Sequence, residues 1–289
     1  MELILVVVSL LTFVYVKSFN IDITKPVIFD HPKSTKGSYF GFSVSLHSNN
    51  KKWLLVGAPL DDVPSKSDSN QILQKYGAIY KCDPTNSQCS YIPIDNTPVQ
   101  KRKYKYQGTI KQLEWEKKKT QWLGQDVHSS GKNGKVVTCA PRYTETPPDR
   151  DGTLQYQWIL GRCFEVLNDL SDSKVIISPC QNKRYGNNYF GYCQAGFSAR
   201  LTADGEYIVM GALGVSNWKG GVIAYSPVYQ GEEAFSTQDQ IEKGYYMGEC
   251  FCAAEVIYHH LNCYKIMNGN LPNFILWETG YKTLNSHDG

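Results

Sequence analysis

One short pattern occurs three times at nearly constant spacing, and it limits the fold more than any other feature of the chain. The first copy is Phe40-Gly41-Phe42-Ser43-Val44-Ser45-Leu46, followed by Trp53-Leu54-Leu55-Val56-Gly57-Ala58-Pro59. The second is Leu123-Gly124-Gln125-Asp126-Val127, followed by Val136-Val137-Thr138-Cys139-Ala140-Pro141. The third is Ala195-Gly196-Phe197-Ser198-Ala199-Arg200-Leu201, followed by Tyr207-Ile208-Val209-Met210-Gly211-Ala212-Leu213. The opening glycine and the Gly or Cys of the second half stand 16, 15 and 15 residues apart. Each copy closes with a third run opened by glycine, at Gly77, Gly161 and Gly220. β-Branched and aromatic residues in these runs predict half-buried strands. Residues 48–50, 132–134 and 203–205 predict tight turns, because Asn-Gly and Asp-Gly accept positive φ. Each copy is therefore an antiparallel sheet of three or four strands. One such sheet cannot hide both faces, so the units must cover one another as blades do. A repeated glycine lets one backbone approach the next where a Cβ would clash. The expected fold class is all-β, a partial, three-bladed β-propeller of antiparallel sheets.

The N-terminus sets the expected compartment. Residues 3–16 are almost wholly apolar but too short to span a bilayer of ~30 Å. With Val16 and Ser18 ahead of Phe19, residues 1–18 read as a secretory signal peptide. No later run reaches a membrane-spanning length, so the expected product is extracellular and lacks an anchor of its own. Nine cysteines follow, Cys82, Cys89, Cys139, Cys163, Cys180, Cys193, Cys250, Cys252 and Cys263. In an oxidising compartment most should pair, and the first six fall into three close couples. Pairing of neighbours is the simplest arrangement, but spacing alone leaves the connectivity open. No N-glycosylation sequon occurs.

The net charge of +3 argues against nucleic acid as a partner. The most basic stretch, residues 101–119, reads as a solvated surface loop, with an acidic-partner or heparin-like patch as the sharper alternative. A zinc site drawn from Cys250, Cys252, His259, His260 and Cys263 has no common ligand spacing. No nucleophile elbow, phosphate loop or dinucleotide fingerprint is present, so no catalytic residue is assigned. No acidic calcium loop is present either, and no metal ligand is assigned.

Phe-Gly followed by Gly-Ala-Pro resembles the FG-GAP repeat of integrin α subunits. Phe19-Asn20-Ile21-Asp22, Gly77-Ala78-Ile79-Tyr80-Lys81-Cys82, Trp122-Leu123-Gly124, Gly161-Arg162-Cys163-Phe164, Cys193-Gln194-Ala195-Gly196-Phe197-Ser198 and Asn217-Trp218-Lys219-Gly220 carry the likeness in order. It implies FG-GAP blades 1–3 over residues 19–244, and a divergent, poorly ordered tail over 245–289. It implies the disulfides Cys82–Cys89, Cys139–Cys163 and Cys180–Cys193. It implies an adhesion receptor subunit that pairs with an integrin β subunit and binds extracellular-matrix or cell-surface ligands, at the cell surface in the full-length family. The alternative is a soluble secreted decoy without a membrane anchor. Calcium is expected only in the later blades of the family's seven, which this sequence does not hold, so no cofactor is expected in this segment. Ligand-contacting loops fall at 142–160, 181–192 and 214–219, and the partner-face candidates are Tyr143, Arg184, Asn188, Asn217 and Trp218. Family members that read Arg-Gly-Asp carry acidic residues in the second of these loops. Residues 181–192 hold Lys183 and Arg184 and no carboxylate. A ligand arginine would forgo a charge-assisted pair of about 1.5–3 kcal/mol. A laminin-like ligand is therefore favoured over Arg-Gly-Asp.

Overall fold

The computed structural model describes residues 26–99, 101–106, 108–146, 157–181, 183–202, 205–226, 231–236, 266–267 and 272–273. Residues 1–18, where the sequence predicts a signal peptide, residues 19–25 and all of the 245–289 tail but two short paired strands lie outside the described residues.

In chain order the strands are β1 (Ser43–Ser48), β2 (Lys52–Ala58), β3 (Val63–Pro64), β4 (Ile72–Leu73), β5 (Ala78–Asp83), β6 (Gln88–Ile92), β7 (Lys101–Tyr106), β8 (Thr109–Glu114) and β9 (Glu116–Lys117). There follow β10 (Asp126–Ser129), β11 (Val136–Ala140), β12 (Thr144–Glu145), β13 (Trp158–Ile159), β14 (Arg162–Val166) and β15 (Ser173–Ile177). The third group is β16 (Ala195–Leu201), β17 (Ile208–Ala212), β18 (Gly221–Ser226) and β19 (Gly231–Ser236), with β20 (Ile266–Met267) and β21 (Pro272–Asn273) beyond. Three four-stranded antiparallel sheets result: β1-β2-β5-β6, β10-β11-β14-β15 and β16-β17-β18-β19. Each repeat of the sequence has become one sheet, its fourth strand supplied by the segment after the third glycine-opened run.

Neighbouring residues on one strand serve different cores. Val56 and Tyr80 join a cluster on one face of the first sheet, whereas Leu55 and Ile79 join one shared with Val127, Val136 and Phe164 of the second. Val137 points the other way, into a cluster with Ala199, Ile208 and Met210 of the third sheet. Strands β11, β14, β17 and β18 are consequently buried at every residue. This corrects the half-buried expectation: a strand covered on both faces has no polar side to alternate with.

The seams have a repeating construction. Ser43 Oγ donates to the Gly124 carbonyl at 2.8 Å, Ser45 Oγ accepts from the Ser129 amide at 3.0 Å, and His47 Nδ1 lies 2.9 Å from Ser129 Oγ. At the next seam Gln125 Nε2 donates to the Phe197 carbonyl at 3.2 Å. Asp126 Oδ2 accepts from the Ala199 amide at 2.6 Å, and His128 Nδ1 accepts from the Leu201 amide at 3.2 Å. Parallel bridges Gly77↔Leu123 and Gly161↔Ala195 recur at equivalent places. Gly124 shows why the repeat needs glycine: its φ is +89°, and a Cβ there would collide with the Ala78 carbonyl oxygen.

The far face of the first sheet meets no preceding sheet among the described residues. Phe29 and Phe40 from the segment before β1 pack on it instead. His31 anchors that segment. Its Nδ1 accepts the Lys33 and Thr35 amides, and its Nε2 is 2.9 Å from Asp61 Oδ2. Tyr80 also donates its hydroxyl to Asp61.

Residues 101–119 are not a plain loop. Strands β7 and β8 pair as a hairpin separate from the three large sheets. Lys118 is buried, its ammonium 2.6 Å from Asp95 Oδ1 and 3.5 Å from Glu116 Oε1. The solvated reading fails at Lys118 because the chain turns inward there, against Asp95 and Thr97.

Candidate functional site: a zipped pair of loops

The 181–192 loop leaves β15 through Cys180 and re-enters β16 through Cys193, and the Cys180–Cys193 disulfide closes its neck. Cys139–Cys163 ties β11 to β14, and Cys82–Cys89 ties β5 to β6. Among cysteines the structure thus forms the three pairs that the resemblance implies.

Inside the loop the backbone bonds to itself. The Tyr189 and Gly191 amides donate to the Gly186 carbonyl at 3.1 and 3.3 Å, and the Phe190 amide donates to Arg184 at 3.0 Å. Such internal bonding fixes a polar, glycine-containing segment that has no strand partner. Aromatic rings complete it. Trp158 stacks on Tyr185 at 6.0 Å between centroids and meets Tyr192 edge-on at 5.3 Å. Gly191 passes directly over the Trp158 ring, where a Cβ would stand 2.5 Å from a ring carbon. Each aromatic pair adds on the order of 1 kcal/mol beyond its burial.

The second loop is the turn after β17. Ser216 and Asn217 adopt left-handed backbone, with φ of 55° and 59°, so Val215–Trp218 is a tight turn rather than a true helix. Asn tolerates this region better than most residues with a side chain. Backbone bonds fasten the turn to the first loop. The Gly214 amide donates to Cys193, Ser216 to Tyr189 at 2.9 Å, and Asn217 to Asn187 at 2.6 Å. Trp218 stacks on Tyr192 at 5.9 Å and remains 45% exposed. Arg184 is exposed, its guanidinium carbon 3.9 Å over the Tyr189 ring. Asn188 and Asn217 are exposed beside it.

Four of the five candidates, Arg184, Asn188, Asn217 and Trp218, therefore belong to one zipped pair of loops. Tyr143 does not share their exposure. It is 1% exposed, lies under the Arg162 guanidinium at 3.6 Å, and points its hydroxyl at Glu116 (2.5 Å) and Glu145 (2.8 Å). Its place on a partner face is corrected by this burial: the ring fills the seam between the first and second sheets. Arg162 is 3.3 Å from Glu145 and 3.6 Å from Glu116, and Gln181 Nε2 donates to Glu145 at 2.9 Å. The polar cluster thus supports the first loop at its root. Burial pushes the Glu145 carboxyl above the usual carboxylate range even though Tyr143 and Arg162 pull the other way. Asp95, bonded to Lys118 and Gln121, is likewise raised by burial.

The aromatic stack and the Glu116–Arg162–Glu145 cluster escaped the sequence reading. Three tyrosines within residues 185–192 of a loop otherwise rich in Asn and Gly are the signal for the first. Among the described residues no three His, Cys, Asp or Glu side chains converge to hold a metal ion.

Successive four-stranded sheets, each reaching the next through its first strand, define the bladed, propeller-type class of repeat proteins. No protein-family model matches the chain. Individual proteins do. Integrin alpha-7 of Rattus norvegicus is 34% identical over 214 residues, covering 70% of this chain and 17% of that protein. Integrin alpha-6 of Gallus gallus is 34% identical over 217 residues, 72% of this chain and 18% of that protein. Integrin alpha-8 of Homo sapiens is 34% identical over 219 residues, 73% of this chain and 18% of that protein. The chain belongs to the integrin α family, and its sheets are β-propeller blades. It spans about one-sixth of the length of the curated relatives it matches.

Proposed function

We propose that this chain is the blade-bearing part of an adhesion receptor α subunit that pairs with an integrin β subunit, binds an extracellular-matrix protein and has no catalytic role. The supporting observation is the zipped loop pair. It presents Trp218, Arg184, Asn188 and Asn217 on a rigid base, the combination of aromatic anchor and fixed polar groups that interfaces use. The extracellular compartment follows from the three disulfides and the family. Any calcium the receptor uses belongs to blades outside this chain.

Ligand preference follows from charge. Residues 181–192 carry Lys183 and Arg184 and no carboxylate, so a ligand arginine finds no acidic partner there. A laminin-like ligand with an acidic or neutral contact surface fits better than Arg-Gly-Asp. The test is co-precipitation of the chain with integrin β subunits from co-expressing cells, then binding of the complex to immobilised laminin with and without an Arg-Gly-Asp peptide. Pairing, laminin capture and indifference to the peptide are expected. No β subunit recovered from any pairing sinks the receptor reading. Capture that the peptide abolishes sinks the laminin preference alone.

A further inference from the structure

The hairpin of β7 and β8 has no part in the blades, and its charge is concentrated. Residues 101–114 carry Lys101, Arg102, Lys103, Lys105 and Lys111 against the single carboxylate of Glu114, an excess larger than the net +3 of the whole chain. The pair forms a two-stranded sheet of its own. Its register sets Lys101 opposite Glu114, Lys103 opposite Gln112 and Lys105 opposite Ile110. Alternate positions of a strand share one face, so positions 101, 103 and 105 of the backbone follow one another at steps of about 6.6–6.8 Å. Opposite them stand one acid, at the base, and two uncharged residues. Lys101, Lys103 and residues 108–112 are exposed. A few residues on, Lys118 shows the contrary arrangement, buried between Asp95 and Glu116. A lone two-stranded hairpin is marginally stable in water and gains most from a partner that lies along it.

We propose that this hairpin is a docking arm for a sulfated polysaccharide. A linear polyanion can follow a strand that carries a lysine at every second position and needs no pocket, because attraction and counterion release supply the affinity. A compact acidic protein needs a complementary concavity, and a two-stranded ribbon by itself does not form one. An anionic bilayer is the other candidate, but negative surface potential belongs to the cytoplasmic leaflet. That step alone rests on the extracellular placement proposed above. The arm would let the receptor hold matrix glycan at a site separate from the loop pair around Trp218.

The test measures the purified chain, as secreted, on immobilised heparin over a salt series. The Lys101→Gln/Lys103→Gln/Lys105→Gln variant should bind about tenfold more weakly, with a shallower salt dependence. Its thermal unfolding should match the parent, because the hairpin lies outside the blade sheets. Desulfated heparin should fail to compete with heparin for the unmodified chain, an outcome that needs no variant to fold. Affinity unchanged by the triple substitution, effective competition by desulfated heparin, or no heparin binding at all overturns the proposal. So does equal or tighter binding to phosphatidylserine vesicles, duplex DNA or polyglutamate at the same salt, since each selects a different class of partner. Recovery of a β subunit by the triple variant, followed in parallel, reports on the receptor reading separately.

Discussion

Strands β1 and β10 hold the same place in successive blades, yet Val44 on β1 is 59% exposed while Val127 on β10 is 4% exposed. Their glycines differ in the same way. Gly41 and Gly124 have φ of +90° and +89°, but a Cβ on Gly41 would meet nothing within 4 Å, whereas one on Gly124 would strike the Ala78 carbonyl. The local sequence and backbone are alike, and the neighbour is not. Burial in this architecture is thus conferred by the preceding blade, and on the first blade Phe29, Phe40 and His31 supply only part of that cover.

The largest expected effect contrasts a seam residue with an uncovered one. Phe164→Ala removes a fully buried ring from the joint of the first two blades and should cost about 3–5 kcal/mol. Val44→Ala should cost less than about 0.5 kcal/mol. Urea unfolding of the two variants gives both numbers, and similar midpoints would break the comparison. Next come the glycines. Gly41→Ala bears only the backbone strain of positive φ, about 1–2 kcal/mol. Gly124→Ala adds a collision with a blade backbone that cannot yield, so its melting temperature should fall well below that of Gly41→Ala.

A smaller effect separates the two seams. Asp126→Ala leaves the Ala199 amide without its acceptor and Arg200 without its carboxylate, a loss of about 1–3 kcal/mol. Ser43→Ala deletes one neutral bond, about 1 kcal/mol. Hydrogen exchange at the Ala199 amide should quicken in the first variant and stay slow in the second. Exchange that is equally fast in both would mean the seams are not independently held.

The smallest effect depends on pH. Glu145 binds its proton more readily folded than unfolded, because burial disfavours its charge. The stability it contributes is complete below its ordinary value of 4.5 and is lost as pH rises through the higher folded value. Glu145→Gln should therefore gain on the parent at neutral pH, and the gain should shrink on acidification towards pH 4.5. A gain that stays constant across this range would show that Glu145 does not titrate in the seam.

The blades were legible in the sequence because their causes are local. Gly41, Gly124 and Gly196 fix the start of each sheet, and β-branched runs such as Val136-Val137-Thr138 fix its middle. The exposure of Asn188 and Asn217 was legible too, since turn residues between strands face outward. Tyr143 was not, because its burial depends on Glu116, Glu145 and Arg162 meeting from three separate strands. Lys118 was misread for the same reason: a lysine among lysines looks solvated until Asp95 of the preceding segment is brought against it. The 101–114 hairpin lacks a strong turn signal at Gln107-Gly108 and has charged residues on both faces, so periodicity could not separate it from a loop.

The joints between blades are unsymmetrical. At both of them the upstream strand contributes side chains, Ser43 and Ser45 or Gln125, Asp126 and His128, while the downstream strand contributes mainly its peptide groups. A polypeptide made from its N-terminus therefore completes each clasp before the stretch to be clasped has emerged. The incoming strand needs only a free peptide edge and a small residue at the crossing, which leaves its remaining side chains open to diversify from one copy of the unit to the next.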